Sequence, residues 1–358
     1  MPGPQGGKDR APEAAAPADR LPDTLSARLA PGAVRPPPAP GAVPAAAARG
    51  GPGRGMGGGT GDGPVRILLA TWNGARFLQA QLDSYLEQDH DNWALWVSDD
   101  HSTDGTWEIL QAFAARHPER EIVLKRGPGR GSAANFLSLL CDPELPVGPV
   151  ALSDQDDVWR PNRLTVGLSM LDRAHPAVSA AHTVETDAAL TPTRRRARRL
   201  PPPSFHNALV QNILAGNTLT LNGPALVALR HGGPAHVPFH DWWIYLRLTA
   251  VGAQVRVHED RVLYYRQHGS QTLGAHRGLI AGAQRMGALA GGRYRAWVKQ
   301  NLTALVARPE GLLPPHRIAA ERLLHDPSRL RALRESGARR SDMAGRLILP
   351  ALALTRRM

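Results

Sequence analysis

From Val65 onward the chain alternates short apolar runs with amphipathic stretches. VRILLAT (65–71) is a continuous apolar run ending in a turn, the pattern of a parallel strand buried on both faces. ARFLQAQLDSYLEQ (75–88) follows, with Phe77, Leu78, Leu82, Tyr85 and Leu86 at helical spacing. The couplet then repeats. WALWVSDD (93–100) predicts a strand and GTWEILQAFAARH (105–117) a helix; EIVLKR (121–126) and SAANFLSLL (132–140) predict the next pair, and PVALSD (149–154) a fourth strand. Strands alternating with helices imply right-handed βαβ units, hence an α/β fold with a mostly parallel sheet flanked by helices.

Composition changes this picture only at the ends. Residues 1–63 are dominated by Pro, Ala and Gly, and so few large apolar groups predict a disordered tail. No apolar core follows the first basic residues there, so the start does not read as a secretory signal. The formal charge of +12 is unevenly spread. Residues 276–358 hold 16 Arg/Lys against five Asp/Glu, whereas 64–275 hold 20 against 21. Residues 278–300 and 316–337 predict helices with Arg-rich faces, making 276–358 a basic helical C-terminal region. RLILPALALTRRM, broken by Pro350, is too short to span a bilayer and suits a peripheral membrane contact. The single cysteine, Cys141, excludes a disulfide framework and a multi-cysteine zinc site.

In a sheet of this kind ligands bind beyond the carboxyl ends of the strands. The polar residues fall at those ends: Thr71 and Asn73, then Asp99 and Asp100, then Asp154, Asp156 and Asp157. Carboxylates this close repel one another and call for a cation or a donor-rich ligand. Hard oxygen ligands suit Mg²⁺ or Mn²⁺, with open positions left for phosphate oxygens.

Four motifs together, ATWNGARFLQAQLDSYLEQ, VSDDHSTDGT, SDQDDVWRPNRL and HDWW with YYRQHG, resemble family 2 glycosyltransferases of the GT-A fold, closest to the bacterial rhamnosyltransferase-like subgroup. The resemblance covers roughly 65–275. It implies a nucleotide-sugar half over 64–175 and an acceptor half over 176–275. It also implies roles: Thr71 and Asn73 at the nucleotide, Asp100 on a pyrimidine base assisted by Asp99, and Asp154 on the ribose or sugar. Asp156 would bind the metal with Asp157 nearby, and Asn135 would close a donor-side loop, GPGRGSAANF (127–136). Asp241 would be the base that takes the acceptor hydroxyl's proton, and Arg266 and His268 would reach the diphosphate or metal. The implied reaction is an inverting, metal-dependent transfer from a UDP- or dTDP-sugar to a glycan or lipid-linked acceptor, in the cytoplasm or on the inner face of the plasma membrane.

From the residues alone, Asp241 also suits the N-terminus of the helix predicted over FHDWWIYLRLTAVG (239–252). Trp242 and Trp243 offer faces to a sugar, with one of them expected in the core. A zinc site of His236, His240 and Asp241 is disfavoured by the intervening Pro238. The arginines of TPTRRRARRLPPPS (191–204) read as a solvated loop. A sugar-phosphate nucleotidyltransferase would need a Gly- and Arg-rich loop after the first strand, where TWNGARF stands. A non-catalytic polysaccharide- or nucleic-acid-binding protein would bind through 276–358. The near-neutral middle argues against nucleic acid as a partner of the catalytic region.

Overall fold

A computed structural model describes residues 63–193, 200–268 and 292–354. The expected tail up to residue 62, residues 194–199 of the Arg-rich loop and residues 278–291 of the helix expected at 278–300 lie outside the described residues.

The opening couplets form as the pattern predicts. Strands β1 (Val65–Thr71), β2 (Trp93–Asp99), β3 (Ile122–Arg126) and β4 (Val150–Ser153) alternate with helices α1 (Ala75–Leu86), α2 (Thr106–Arg116) and α3 (Ser132–Leu140). Next come β5 (Val158–Trp159), α4 (Arg163–Ser169), β6 (Ala177–Thr186) and α5 (Phe205–Ala208). A 3₁₀ turn (Gly216–Thr218), β7 (Thr220–Leu221), α6 (Gly223–Arg230), α7 (His240–Ala250) and β8 (Gln254–Arg266) complete the sheet. The eight strands run in the order β3-β2-β1-β4-β7-β6-β8-β5. The pairs β1–β2, β1–β4, β2–β3 and β6–β8 are parallel, and β7 joins the two halves by antiparallel pairs with β4 and β6.

Alternating side chains of β1 serve both faces, as the two-residue period of a strand requires. Ile67 and Leu69 pack with Leu78, Leu82 and Phe113 on one side. Leu68 and Ala70 pack with Phe136 and Leu140 on the other. That second core continues without a break into the C-terminal helices α8 (Arg293–Ala307), α9 (Pro314–His325), α10 (Arg329–Ser336) and α11 (Met343–Leu354). Val298, Leu302, Leu323, Leu333, Leu349 and Leu352 share it with Trp243 and Leu246 of α7. Leu349, Leu352 and Ala353 of α11 are thus covered by protein, whereas Leu354 is exposed. No helix among the described residues is long and apolar enough to cross a membrane.

Candidate active site

The carboxyl ends of β1, β2 and β4 carry the predicted polar residues, and the structure gives them distinct tasks. Asp99, fully buried, accepts hydrogen bonds from the Thr71 hydroxyl at 2.9 Å, the Ser102 hydroxyl at 2.5 Å and backbone N–H at 3.1 Å, and Arg126 at 2.7 Å. Four donors make it the organiser of the β2 end. Asp100 accepts from the backbone N–H groups of Gly129 (2.6 Å) and Gly131 (2.7 Å), folding the 127–131 loop over itself. Both glycines have positive φ (66° and 84°), a conformation other residues reach only at a cost. Asn135 donates to the Ser98 and Thr71 carbonyls, while its own Oδ1 and the Ser98 hydroxyl have no partner among the described residues. Both of these buried oxygens face the α-carbon of Gly127, where a β-carbon would lie 2.5 and 3.1 Å from them.

Asn73, at φ 47°, accepts through its side chain from the Thr103 N–H, so it braces the β1–α1 loop against the β2 end. Between Thr71 and Asn73 the indole of Trp72 is 61% exposed, an aromatic surface on the rim that the motif reading passed over. Gln155, also passed over, grips that same loop. Its Oε1 accepts from Trp72 N–H at 2.8 Å and its Nε2 donates to Trp72 O at 2.9 Å, lying so close that a β-carbon on Gly74 would collide with it. The latch ties the loop bearing Asn73 to the loop bearing Asp154 and Asp156. Gln155→Ala removes two hydrogen bonds, about 1–2 kcal/mol. Nucleoside diphosphate affinity, measured by calorimetry, is expected to fall about five- to thirtyfold.

The acidic loop after β4 divides likewise. Asp157 is fully buried and accepts from Asn217 Nδ2 at 2.5 Å and from Arg266 N–H at 3.2 Å. Burial first, then the charges of Asp156 and Asp154, push its carboxyl well above the usual range. Asp156 stays partly exposed, its Oδ2 2.7 Å from His268 Nε2. Asp154 is raised to about 7 by burial and then by the negative charges of Asp156 and Asp241. Arg266, 5% exposed, gives Nε to the Asp156 carbonyl at 2.9 Å and Nη1 to the Ala188 carbonyl. It clamps the acidic loop from beneath.

Asp241 reaches this group from the other half of the chain. It is the second residue of α7, and its carboxylate accepts from the Trp242 N–H at 2.7 Å. Burial raises it to about 6, against the lowering effect of Trp242 N–H, the Asn212 side chain and Gly216 N–H. Gly216 lies on Asp241, where a β-carbon would stand 3.3 Å from the aspartate's own. The next residue, Asn217, holds Asp157. One 3₁₀ turn therefore spans from Asp157 to Asp241, itself anchored by buried Arg163, which donates to Thr220 Oγ1 (2.8 Å) and the Leu219 carbonyl (3.0 Å). The two asparagines and the glycine that interrupt the apolar run 208–221 were the sequence signal for this turn.

Other expectations resolve differently. Trp242 and Trp243 are both core, 5% and 0% exposed, with the Trp242 indole donating to the Ala208 carbonyl. Both are fixed by packing and neither offers a face to a sugar. His240 stacks on Phe136 at 4.0 Å, and burial pushes it down to about 3. Among the described residues no group of three or more His, Cys, Asp or Glu is placed to hold a metal ion. Asp156 and His268 do converge as a pair, which fits a divalent ion held by two side chains with its other positions left to ligand oxygens. A groove of about 640 Å³ lined by His182, Pro201–Pro203 and Val255–Glu259 contains none of these carboxylates.

Residues 67–228 match the model of glycosyl transferase family 2. The chain is similar to a dTDP-rhamnosyl transferase, RfbG, of Shigella flexneri: 24% identical over 247 residues, covering 66% of this chain and 84% of that one. It is 28% identical over 217 residues to an uncharacterized protein of Mycobacterium tuberculosis, 57% of this chain and 59% of that one. Among solved structures, a mannosyltransferase of Pyrobaculum calidifontis in complex with GDP-Man and Mn²⁺ superposes with a TM-score of 0.47 at 22% identity, over 82% of this chain and 80% of that one.

Proposed function

We propose, for a chain that is a family 2 glycosyltransferase, a single inverting displacement at the carboxylates gathered beyond β1, β2 and β4. The observation that carries this reading is the 3₁₀ turn whose consecutive residues touch Asp241 and Asp157. It sets a carboxylate able to act as base beside the acidic loop. The acceptor hydroxyl attacks the anomeric carbon, its proton passes to the Asp241 carboxylate, and the bond from that carbon to the diphosphate oxygen breaks with its electron pair leaving on the nucleoside diphosphate.

Asp156 and His268 would hold the divalent cation, Mg²⁺ or Mn²⁺, which when bound supplies positive charge opposite the leaving diphosphate. Asp154, crowded by Asp156 and Asp241, would face the sugar or ribose. Thr71, Asp99, Asp100, Asn73 and Asn135 shape the nucleotide side, Asp99 and Asn73 by bracing loops. Arg266 supports the acidic loop from below. Likeness over 84% of a dTDP-rhamnosyl transferase supports a dTDP-deoxyhexose as donor and a surface glycan or its lipid-linked precursor as acceptor. Peripheral membrane contact would rest on the basic surface of the C-terminal helices, because α11 turns Leu349, Leu352 and Ala353 inward.

The test is thermal stabilisation by UDP-, dTDP- and GDP-sugars with and without Mn²⁺. A nucleotide that stabilises the protein at 100 times its Kd contributes about 2.7 kcal/mol, a shift of several degrees. Metal-dependent stabilisation by a pyrimidine nucleotide-sugar is expected. Absence of it with every donor would sink the reading.

A further inference from the structure

We propose that Arg76, in the first turn of α1, is a binding residue for the diphosphate of the nucleotide-sugar donor. This rests on the transferase reading above, to which it adds a residue that none of the motif assignments includes.

The starting point is the ring of Phe77. Three groups gather on it: the Arg76 guanidinium at 4.8 Å, the Arg266 guanidinium at 4.5 Å and the His268 ring at 4.7 Å. Two guanidinium groups on one phenyl ring repel each other. Such crowding persists readily where an anion binds between or beside the cations.

The three groups are not equivalent. Arg266 is buried and committed to the Asp156 and Ala188 carbonyls. His268 is in contact with the Asp156 carboxylate. Arg76 is exposed and, among the described residues, none of its five N–H donors meets an acceptor. Its stem follows directly on the β1–α1 loop that Gln155 ties to the acidic loop, so its head stands on the same rim as Asp156. A planar fork of donors, held over a ring and lacking a carboxylate, suits the paired oxygens of a diphosphate better than a single charge does.

The full-length chain is titrated by calorimetry with UDP, dTDP and GDP, with the corresponding nucleosides as controls. Arg76→Ala is expected to weaken diphosphate binding about tenfold and leave any nucleoside binding unchanged, with Arg76→Lys recovering part of the loss. Because the side chain is exposed, the melting temperature should hold within about 1 °C, as surface substitutions do. Diphosphate binding by Arg76→Ala equal to that of the unaltered protein overturns this proposal alone. Failure of the unaltered protein to bind any nucleoside diphosphate overturns the transferase reading and this one together.

Discussion

Asp241→Asn is expected to lower kcat about 10²–10⁴-fold, the range that loss of a general base commands, while nucleotide-sugar affinity stays within about twofold. Asparagine keeps the shape and one acceptor for the Trp242 N–H but cannot take a proton. The unaltered enzyme carries a second signature. Burial holds Asp241 at about 6, so below that pH the base is occupied and activity falls about tenfold per unit, whereas above it the carboxylate is free. The Asn212 side chain stabilises the carboxylate, so Asn212→Ala should move this acid limb to higher pH. Initial rates from pH 4.5 to 8.5 check both. An acid limb that Asp241→Asn leaves in place, or transfer at the unaltered rate, would remove Asp241 as base.

The parts of the fold visible in the sequence are those that local pattern controls. β1 at 65–71 and α3 at 132–140 appear with the bounds the apolar periodicity predicts, because a doubly buried strand and a short amphipathic helix each leave a distinct period. The two-residue strands β5 and β7 have no period of their own. Their pairing depends on partners far along the chain, Leu263–Tyr264 for β5 and both β4 and β6 for β7. Site chemistry shows the same division. The carboxylates could be found because they end strands. Which carboxylate faces inward could not, since Asp156 and Asp157 are neighbours and the β5 strand starting at Val158 sets which one is buried. From sequence, Trp242 and Trp243 offer one ring to the core and one to a sugar, because the helix's second face is not visible there. The C-terminal helices cover that face. Arg76 was unremarked because a single basic residue on a helix is ordinarily a solvated one; only the Phe77 ring beneath it changes that.

Asp156 and Asp157 are the sharpest test of how the acidic loop works, because adjacent substitutions are expected to fail in opposite ways. Asp156 is partly exposed and touches His268, so Asp156→Asn should keep the melting temperature within about 2 °C, as for a surface change. Its metal-dependent stabilisation by nucleotide should vanish. Asp157 is buried beneath, and Asp157→Ala leaves the Asn217 amide and the Arg266 N–H without an acceptor. Two unsatisfied buried donors cost about 2–4 kcal/mol, which corresponds to a fall of about 3–7 °C in a chain of this size. Asp157→Asn separates packing from charge. It keeps one acceptor, for either the Asn217 amide or the Arg266 N–H, and turns an amide NH2 on the other, while removing a negative charge that burial, Asp156 and Asp154 all oppose, so its melting temperature should lie between those of Asp157→Ala and the unaltered protein. Its metal response should survive, because the Asp156–His268 pair is intact. Differential scanning fluorimetry with and without Mn²⁺ and nucleotide reads all three variants. If Asp157→Asn loses the metal response as completely as Asp156→Asn, Asp157 is a ligand rather than the support of one, and the 3₁₀ turn carrying Asn217 must then move when donor and metal bind.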